Sequence, residues 1–218
     1  MHDGTTTAAT RRPGKGMTVW RWALCAFALL AAGFVAVAAA QTPTQRVEST
    51  IASIIEVLHA EGASREEKWQ RIGAIIDGGF DFRSMSQSVL ARNWRAASKE
   101  EKRQFVEFFS QYLEETYRTK IESHTNQRVE VTKETVRGDR AVVDTAIVTD
   151  TTRVPVSYKL KNNDGTWYAY DVVIEGVSLV NNYRNTFDAI VKAEGMDGLL
   201  RDLEGRIAKH RAGQAAAP

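Results

Sequence analysis

Beyond its first 40 residues the chain holds three histidines, His59, His124 and His210, and no cysteine. Zinc ligands recur a few residues apart, so histidines this widely separated form no local metal motif and read as surface residues. No H-E-x-x-H, G-x-S-x-G or Walker A pattern occurs. If ATP powers anything here, another protein binds it. The nearest thing to an acid pair is Asp171 with Glu175, placed i and i+4 along what reads as an extended chain. That separation is too great for a shared proton, so both read as solvated or salt-bridged. Arg184 could meet an anionic group, yet Asp188 follows one helical turn later, and a surface ion pair is the first expectation. No catalytic residue, metal ligand or cofactor is assigned.

The stretch around these charges, Trp167 to Val191, opens as a strand. Tyr168, Tyr170, Val172 and Ile174 fall on one face, with Trp167, Ala169, Asp171 and Val173 on the other. Glu175-Gly176 breaks the strand. The period then becomes helical: Val180, Tyr183, Phe187, Ile190 and Val191 share a stripe, with Ser178 as N-cap. A strand bending into a helix, both with bulky apolar faces, makes the corner of a concave wall. Such a wall can enclose a filled core or a cavity, and pattern alone does not separate the two.

Upstream, Val47, Ile51, Ile54, Ile55 and Leu58 repeat at helical spacing from Thr44 to Ala60, and Gly62 follows. Ser64-Arg65-Glu66-Glu67 and Ser98-Lys99-Glu100-Glu101 are capping boxes, in which the Ser oxygen and the Glu carboxylate satisfy free first-turn amides reciprocally. The first opens a helix burying Trp69, Ile72, Ile75 and Ile76 and stopping at Gly78-Gly79. Asp81 caps a helix with Phe82, Met85, Val89, Leu90 and Trp94 inside. The second box opens the longest helix, striped by Phe105, Phe108, Phe109, Tyr112, Leu113, Thr116, Tyr117 and Ile121. Those aromatics read first as ordinary core, and a lipid cavity would recruit the same residue types.

After Asn126 the period switches to two. Strands are expected at 128–136, 140–149, 153–161 and 167–174, joined by turn sequences into an antiparallel meander. Gly195 closes the helix after the corner, and Asp197 caps a final one carrying Leu199, Leu200, Leu203 and Ile207. Residues 211–218 read as a disordered tail. The expected architecture is α+β: N-terminal helices on a four-stranded antiparallel sheet, then two C-terminal helices, in one domain over residues 41–210.

Residues 1–40 read as a cleaved secretory signal. Arg11, Arg12, Lys15 and Arg21 lead an uncharged apolar run from Trp22 to Ala40, and Ala38-Ala39-Ala40 offers a cleavage site before Gln41. A membrane anchor of similar length is the alternative. Arg11-Arg12 invites a twin-arginine reading, but Pro13-Gly14 follow where an apolar pair belongs, so the general export route fits better. Four of the 29 basic and one of the 27 acidic residues lie in this segment, leaving the remainder at net −1. A nucleic-acid partner thus loses its electrostatic support. The sole cysteine, Cys25, lies in the apolar run behind Leu24, where a lipoprotein acceptor wants a small residue. The remaining ~170 residues suffice for one domain with a sizeable core.

Gly176-Val177-Ser178-Leu179-Val180, Asn182-Tyr183-Arg184, Phe187 and Gly195-Met196-Asp197-Gly198-Leu199 resemble the C-terminal signature of the MlaC, or toluene-tolerance, family. Phe80-Asp81-Phe82, Trp94 and the helix from Ser98 to Tyr117 extend the resemblance over nearly all of the chain after residue 40. It implies a periplasmic carrier shuttling phospholipid between an outer-membrane lipoprotein complex and an inner-membrane ABC transporter with an MCE-type subunit. The family is associated with outer-membrane lipid asymmetry, and a related branch with hopanoid transport. A monomer is expected. A diacyl lipid exposes roughly 30 methylenes at about 0.8 kcal/mol each, near 25 kcal/mol in all. A carrier therefore needs an apolar pocket on the order of 1,000 Å³ and no catalytic group.

Periodicity and resemblance together nominate Phe109, Leu113, Tyr117, Val156, Tyr158, Tyr170, Val172, Val177, Leu179, Val180, Tyr183 and Phe187 as its lipid-binding wall. The corner of Val177, Leu179 and Val180 is expected to face acyl chains. No Lys/Arg cluster lies beside the apolar stripes, so binding should be indifferent to headgroup. Two rivals remain: an enzyme of the ketosteroid-isomerase kind, for which Asp171 is the sole acid available, and an interaction module with a filled core.

Overall fold

A computed structural model of the chain describes residues 41–123 and 127–215. The expected signal segment, His124 and the last three residues lie outside the described residues. Five helices precede the sheet: α1 (Pro43–His59), α2 (Arg65–Gly79), α3 (Phe82–Leu90), α4 (Arg92–Ala96) and α5 (Lys99–Glu122). Strands β1 (Arg128–Arg137), β2 (Arg140–Val148), β3 (Arg153–Asn163), β4 (Thr166–Ile174) and the two-residue β5 (Val177–Ser178) follow, and α6 (Leu179–Ala215) ends the described chain. The fold is α+β, and the antiparallel sheet runs β1-β2-β3-β4-β5 as a meander. The fifth strand is the one addition to the expected four.

Local sequence explains the ends of these elements. Both capping boxes form in full, at Ser64 with Glu67 and at Ser98 with Glu101. Asp164 and Gly165, both at positive φ, make the two-residue hairpin between β3 and β4, and twist of this hand suits paired strands. Glu175 and Gly176 repeat the device between β4 and β5. The strand therefore does not simply break there; it turns back for two residues. Phe80-Asp81-Phe82 ties the helices to the sheet: Phe80 bridges Ala169, the Asp81 amide donates to the Ala169 carbonyl at 2.8 Å, and Asp81 caps α3.

Three expectations change. The helix expected after Asp81 is broken at Ala91 (φ 49). Arg184 donates from Nε to the Ser88 carbonyl in the last turn of α3, at 2.9 Å. Asp188 instead accepts from Arg92, Asn93 and Lys192, which hold its carboxyl down at about 2, the Lys192 bond foremost. The predicted Arg184–Asp188 pair is thus replaced by a clamp that seats α3 and α4 on α6. Residues 211–215 are not a loose tail but continue α6. Arg211 Nε donates to Glu115 at 2.7 Å and Gln214 Nε2 to the Glu115 carbonyl at 3.1 Å. The division of α6 at Gly195 stands as expected, since its backbone (φ 71, ψ −174) is open to little but glycine.

The largest core lies between α3, α5 and α6. Phe105, Phe109, Tyr112, Tyr183 and Phe187 interlock with ring centroids 5.4–5.9 Å apart, mostly edge to face. Such rings add roughly 0.5–1.5 kcal/mol per pair beyond area burial. Two smaller clusters flank α1: Val47 on Ala141, Val143, Leu160 and Trp167 of the sheet, and Val57 on Trp69, Ile72 and Ile76 of α2. Helix α1 is therefore pinned at both ends and spans the sheet between them.

Candidate functional site

Between those pinned ends, α1 stands off the sheet over a cavity of about 540 Å³. The sheet supplies its floor in cross-strand rows, because period-two side chains align across paired strands. Leu160 and Ala169 face each other at one end, then Tyr158 and Val172, then Val156 and Ile174; Val129, Ile147 and Val154 form the last row. The first row is buried, with Leu160 at 1% and Ala169 at 5% exposed, whereas all three residues of the last row are partly exposed, so the cavity opens at that end. Helix α1 roofs it with Ile51, Ile54, Ile55 and Leu58, and the C-terminal half of α5 walls it with Leu113, Glu114, Tyr117 and Ile121.

Six of the twelve nominated residues meet in this lining: Leu113, Tyr117, Val156, Tyr158, Val172 and Leu179. Four others, Phe109, Val180, Tyr183 and Phe187, lie in the aromatic core between α5 and α6. Phe109 is fully buried and Val180 is 5% exposed. The α6 stripe meets α5 instead of continuing the sheet's concave face, so of the expected corner only Leu179 faces the cavity, while Val180 is packed core. This also explains a cavity near half the anticipated 1,000 Å³. Val177 is 57% exposed on the β4–β5 hairpin, and the Tyr170 ring lies 4.8 Å from the Arg140 guanidinium.

Tyr170 is displaced by a bulge. Lys159 pairs with Asp171 but Leu160 pairs with Ala169, so Tyr170 is one residue too many for the register. The inward set on β4 therefore runs Trp167, Ala169, Val172, Ile174, and straight alternation through the strand misassigns its first half. The nominated wall also left out the α1 stripe, whose helix the sequence shows, and the row Val129–Ile147–Val154. Ile54 beside Ile55 was the available signal, an apolar stripe wider than one packing contact uses.

Asp171 is absent from the lining and 3% exposed. It accepts from Lys159 Nζ at 2.8 Å, Ser178 Oγ at 2.7 Å and the Val180 amide at 3.1 Å. Ser178 Oγ in turn accepts from the Asn181 amide at 3.1 Å. Asp171 and Ser178 thus satisfy two of the free amides that start α6. The acid an enzyme of the ketosteroid-isomerase kind would have used is a helix cap.

Few polar groups reach the cavity. Arg46 reaches the Gly78 carbonyl and the Tyr168 ring. Lys120 lies over the Tyr117 ring at 5.6 Å, and Lys120 and Glu175 are exposed at the open end. Burial pushes the Tyr158 hydroxyl up to about 12 and raises Tyr117 as well, partly offset by a hydrogen bond with Tyr183. Glu114 is the exceptional group. Burial, then the charges of Asp77 and Glu115, push its carboxyl up to about 7, against an opposing pull from Arg211. The histidines add nothing here: His59 is exposed, and His210 packs on the Tyr112 ring. Among the described residues no acidic, histidine or cysteine cluster could hold a metal ion.

A family model described as "MlaC protein" matches residues 47–205. The toluene tolerance protein ttg2D of Pseudomonas putida is 27% identical over 190 residues, covering 83% of this chain and 88% of that protein. The intermembrane phospholipid transport system binding protein MlaC of Haemophilus influenzae is 24% identical over 122 residues, 53% of this chain and 57% of that one. A solved structure of a phospholipid-binding protein from Ralstonia solanacearum, in complex with a phospholipid, superposes with a TM-score of 0.70 at 23% identity. It covers 76% of this chain and 97% of its own, and establishes the shared fold.

Proposed function

The chain belongs to the MlaC family, and on that footing we propose that it carries phospholipid, with acyl chains held between α1, α5 and the sheet. The observation that carries this reading is the cavity: about 540 Å³, open at one end, with aliphatic side chains on three sides. Sites of roughly 300–1,000 Å³ accommodate ligands of drug size and above. Each methylene moved into such a place is favoured by about 0.8 kcal/mol, so even part of a diacyl lipid is held firmly. The names of the Haemophilus and Ralstonia proteins give the same ligand class.

Six nominated residues would contact the chains directly: Leu113, Tyr117, Val156, Tyr158, Val172 and Leu179. Phe109, Val180, Tyr183 and Phe187 would support the wall from behind. On this reading the first 40 residues direct export and are removed near Gln41, leaving a monomeric periplasmic domain. No described helix is long and apolar enough to cross a membrane. The carrier would pass its lipid between an outer-membrane lipoprotein complex and an inner-membrane ABC transporter with an MCE-type subunit, without catalysis of its own.

Organic extraction of the purified protein followed by mass spectrometry tests the proposal. Near-stoichiometric phospholipid is the expected result. A hopanoid in its place would move the chain to that branch of the family, and no lipid of either kind would overturn the carrier reading.

A further inference from the structure

Glu114 has no role in the carrier reading as it stands. It lies in the cavity lining with Leu113 and Tyr117, and a methyl group at Gly73 of α2 would touch its Oε2 at 3.6 Å. Among the described residues it makes neither a hydrogen bond nor an ion pair. Glu114 is half-buried, and a carboxylate set in an apolar lining is ordinarily paired, because an uncompensated charge there is costly. The charges around it increase that cost. Asp77 faces it from α2 and Glu115 adjoins it on α5, while Arg211 of α6 is committed to Glu115 at 2.7 Å. Of the cations in the lining, Arg46 of α1 is engaged by the Gly78 carbonyl and Lys120 lies over the Tyr117 ring. Glu175, from the β4–β5 turn, adds another negative group at the open end.

We propose that Glu114 makes lipid binding proton-linked: the pocket holds acyl chains when this carboxyl is neutral and loses them when it ionises. The inference rests on the carrier reading above. A neutral carboxyl can stand against methylenes and donate its proton to an ester carbonyl, an acceptor that every diacyl phospholipid brings. An ionised one has no protein partner and must draw water into the cavity, which the acyl chains displace. Lipid and proton therefore bind together, and each strengthens the other.

The sign follows from the direction of the shift. Glu114 is raised from the ordinary 4.5 to about 7, and bound lipid, by excluding water, raises it further. Affinity is thus full below about pH 7 and falls as pH rises through that value. The loss is at most about tenfold per pH unit for a single linked proton.

The test is equilibrium binding of a phosphatidylcholine with a fluorescent acyl chain, whose headgroup keeps its charge over this range. Between pH 6 and pH 8.5 the wild-type protein should weaken by roughly five- to thirtyfold. Glu114→Gln, which cannot ionise, should lose the pH dependence whatever its absolute affinity. Asp77→Asn, which leaves the carboxyl in place but removes a neighbouring charge, should keep the dependence and move its midpoint down. A flat wild-type profile, or an unchanged slope in Glu114→Gln, overturns the proton linkage while leaving the carrier intact. Failure of all three proteins to bind at any pH removes the carrier reading and this inference together.

Discussion

Two carboxylates, each introduced at a valine or isoleucine of the same domain, should have opposite consequences. Ile147 sits in the outer row of the cavity floor, belongs to none of the packed clusters, and is partly exposed. Ile147→Asp forfeits roughly half of an isoleucine's burial, about 1 kcal/mol, and its charge can be hydrated at the open end. For a domain of this size that lowers Tm by about 2–4 °C. Facing acyl chains, the same charge has no hydration, and a penalty of about 3 kcal/mol or more weakens lipid binding over 100-fold. Val180 is 5% exposed inside the α5–α6 core. Val180→Asp loses about 1.5–2 kcal/mol of burial and adds several more for an unpaired buried charge. Its amide is 3.1 Å from the Asp171 carboxylate, so repulsion adds to the cost. The total is comparable with the whole stability of a domain, about 5–15 kcal/mol. Thermal melting and extracted lipid, measured on both variants, should give a folded, lipid-free Ile147→Asp and an unfolded Val180→Asp. Equal collapse of the two would refute the division between cavity and core. Lipid retained by Ile147→Asp would refute the assignment of lipid to this cavity.

Asp171→Ala should destabilise by about 3 kcal/mol, from the lost cap and the buried donors it leaves, and calorimetry should place Tm some 6–12 °C lower; an unchanged Tm would remove Asp171 as the cap of α6. Headgroup should matter little, because the charged lining residues at the open end, Lys120 and Glu175, are of opposite sign. Competition between phosphatidylglycerol and phosphatidylethanolamine is expected to differ by less than about tenfold, or 1.4 kcal/mol, and a larger preference would reveal a headgroup site.

What the sequence made legible was whatever depends on nearest neighbours. Ser64 with Glu67 and Ser98 with Glu101 announce helix starts because both halves of the box lie within one turn. Asp164-Gly165 announces a hairpin because the turn needs positive φ at those residues. The cavity was less legible, because it depends on which apolar stripe meets which. Phe109, Tyr183 and Phe187 belong to stripes as regular as those of Leu113 and Tyr117, yet they close on one another. Ile55, on a helix pinned at its two ends, belongs to no packed cluster and faces the cavity, and Ile54 lines it from the edge of the α2 cluster. The break at Ala91 had no local signal, since the donor that meets the Ser88 carbonyl beside it, Arg184, comes from a distant segment.

The bulge at Tyr170 shows how one residue can decide the site. Without it, alternation from Ala169 would put Asp171 in the cavity beside Tyr158, an unpaired carboxylate on the floor of an apolar pocket. With it, Asp171 turns to Lys159, Ser178 and the Val180 amide, while Val172 and Ile174 take the inward places. The same strand thereby caps α6 with one face and lines the cavity with the other. Deleting Tyr170 would make Asp171 follow Ala169 directly, so simple alternation would return with Ala169 and Val172 still inward and Asp171 still outward. The bulge therefore lets the strand carry the extra residue without moving either the helix cap or the cavity floor, which a count of apolar residues along β4 could not reveal.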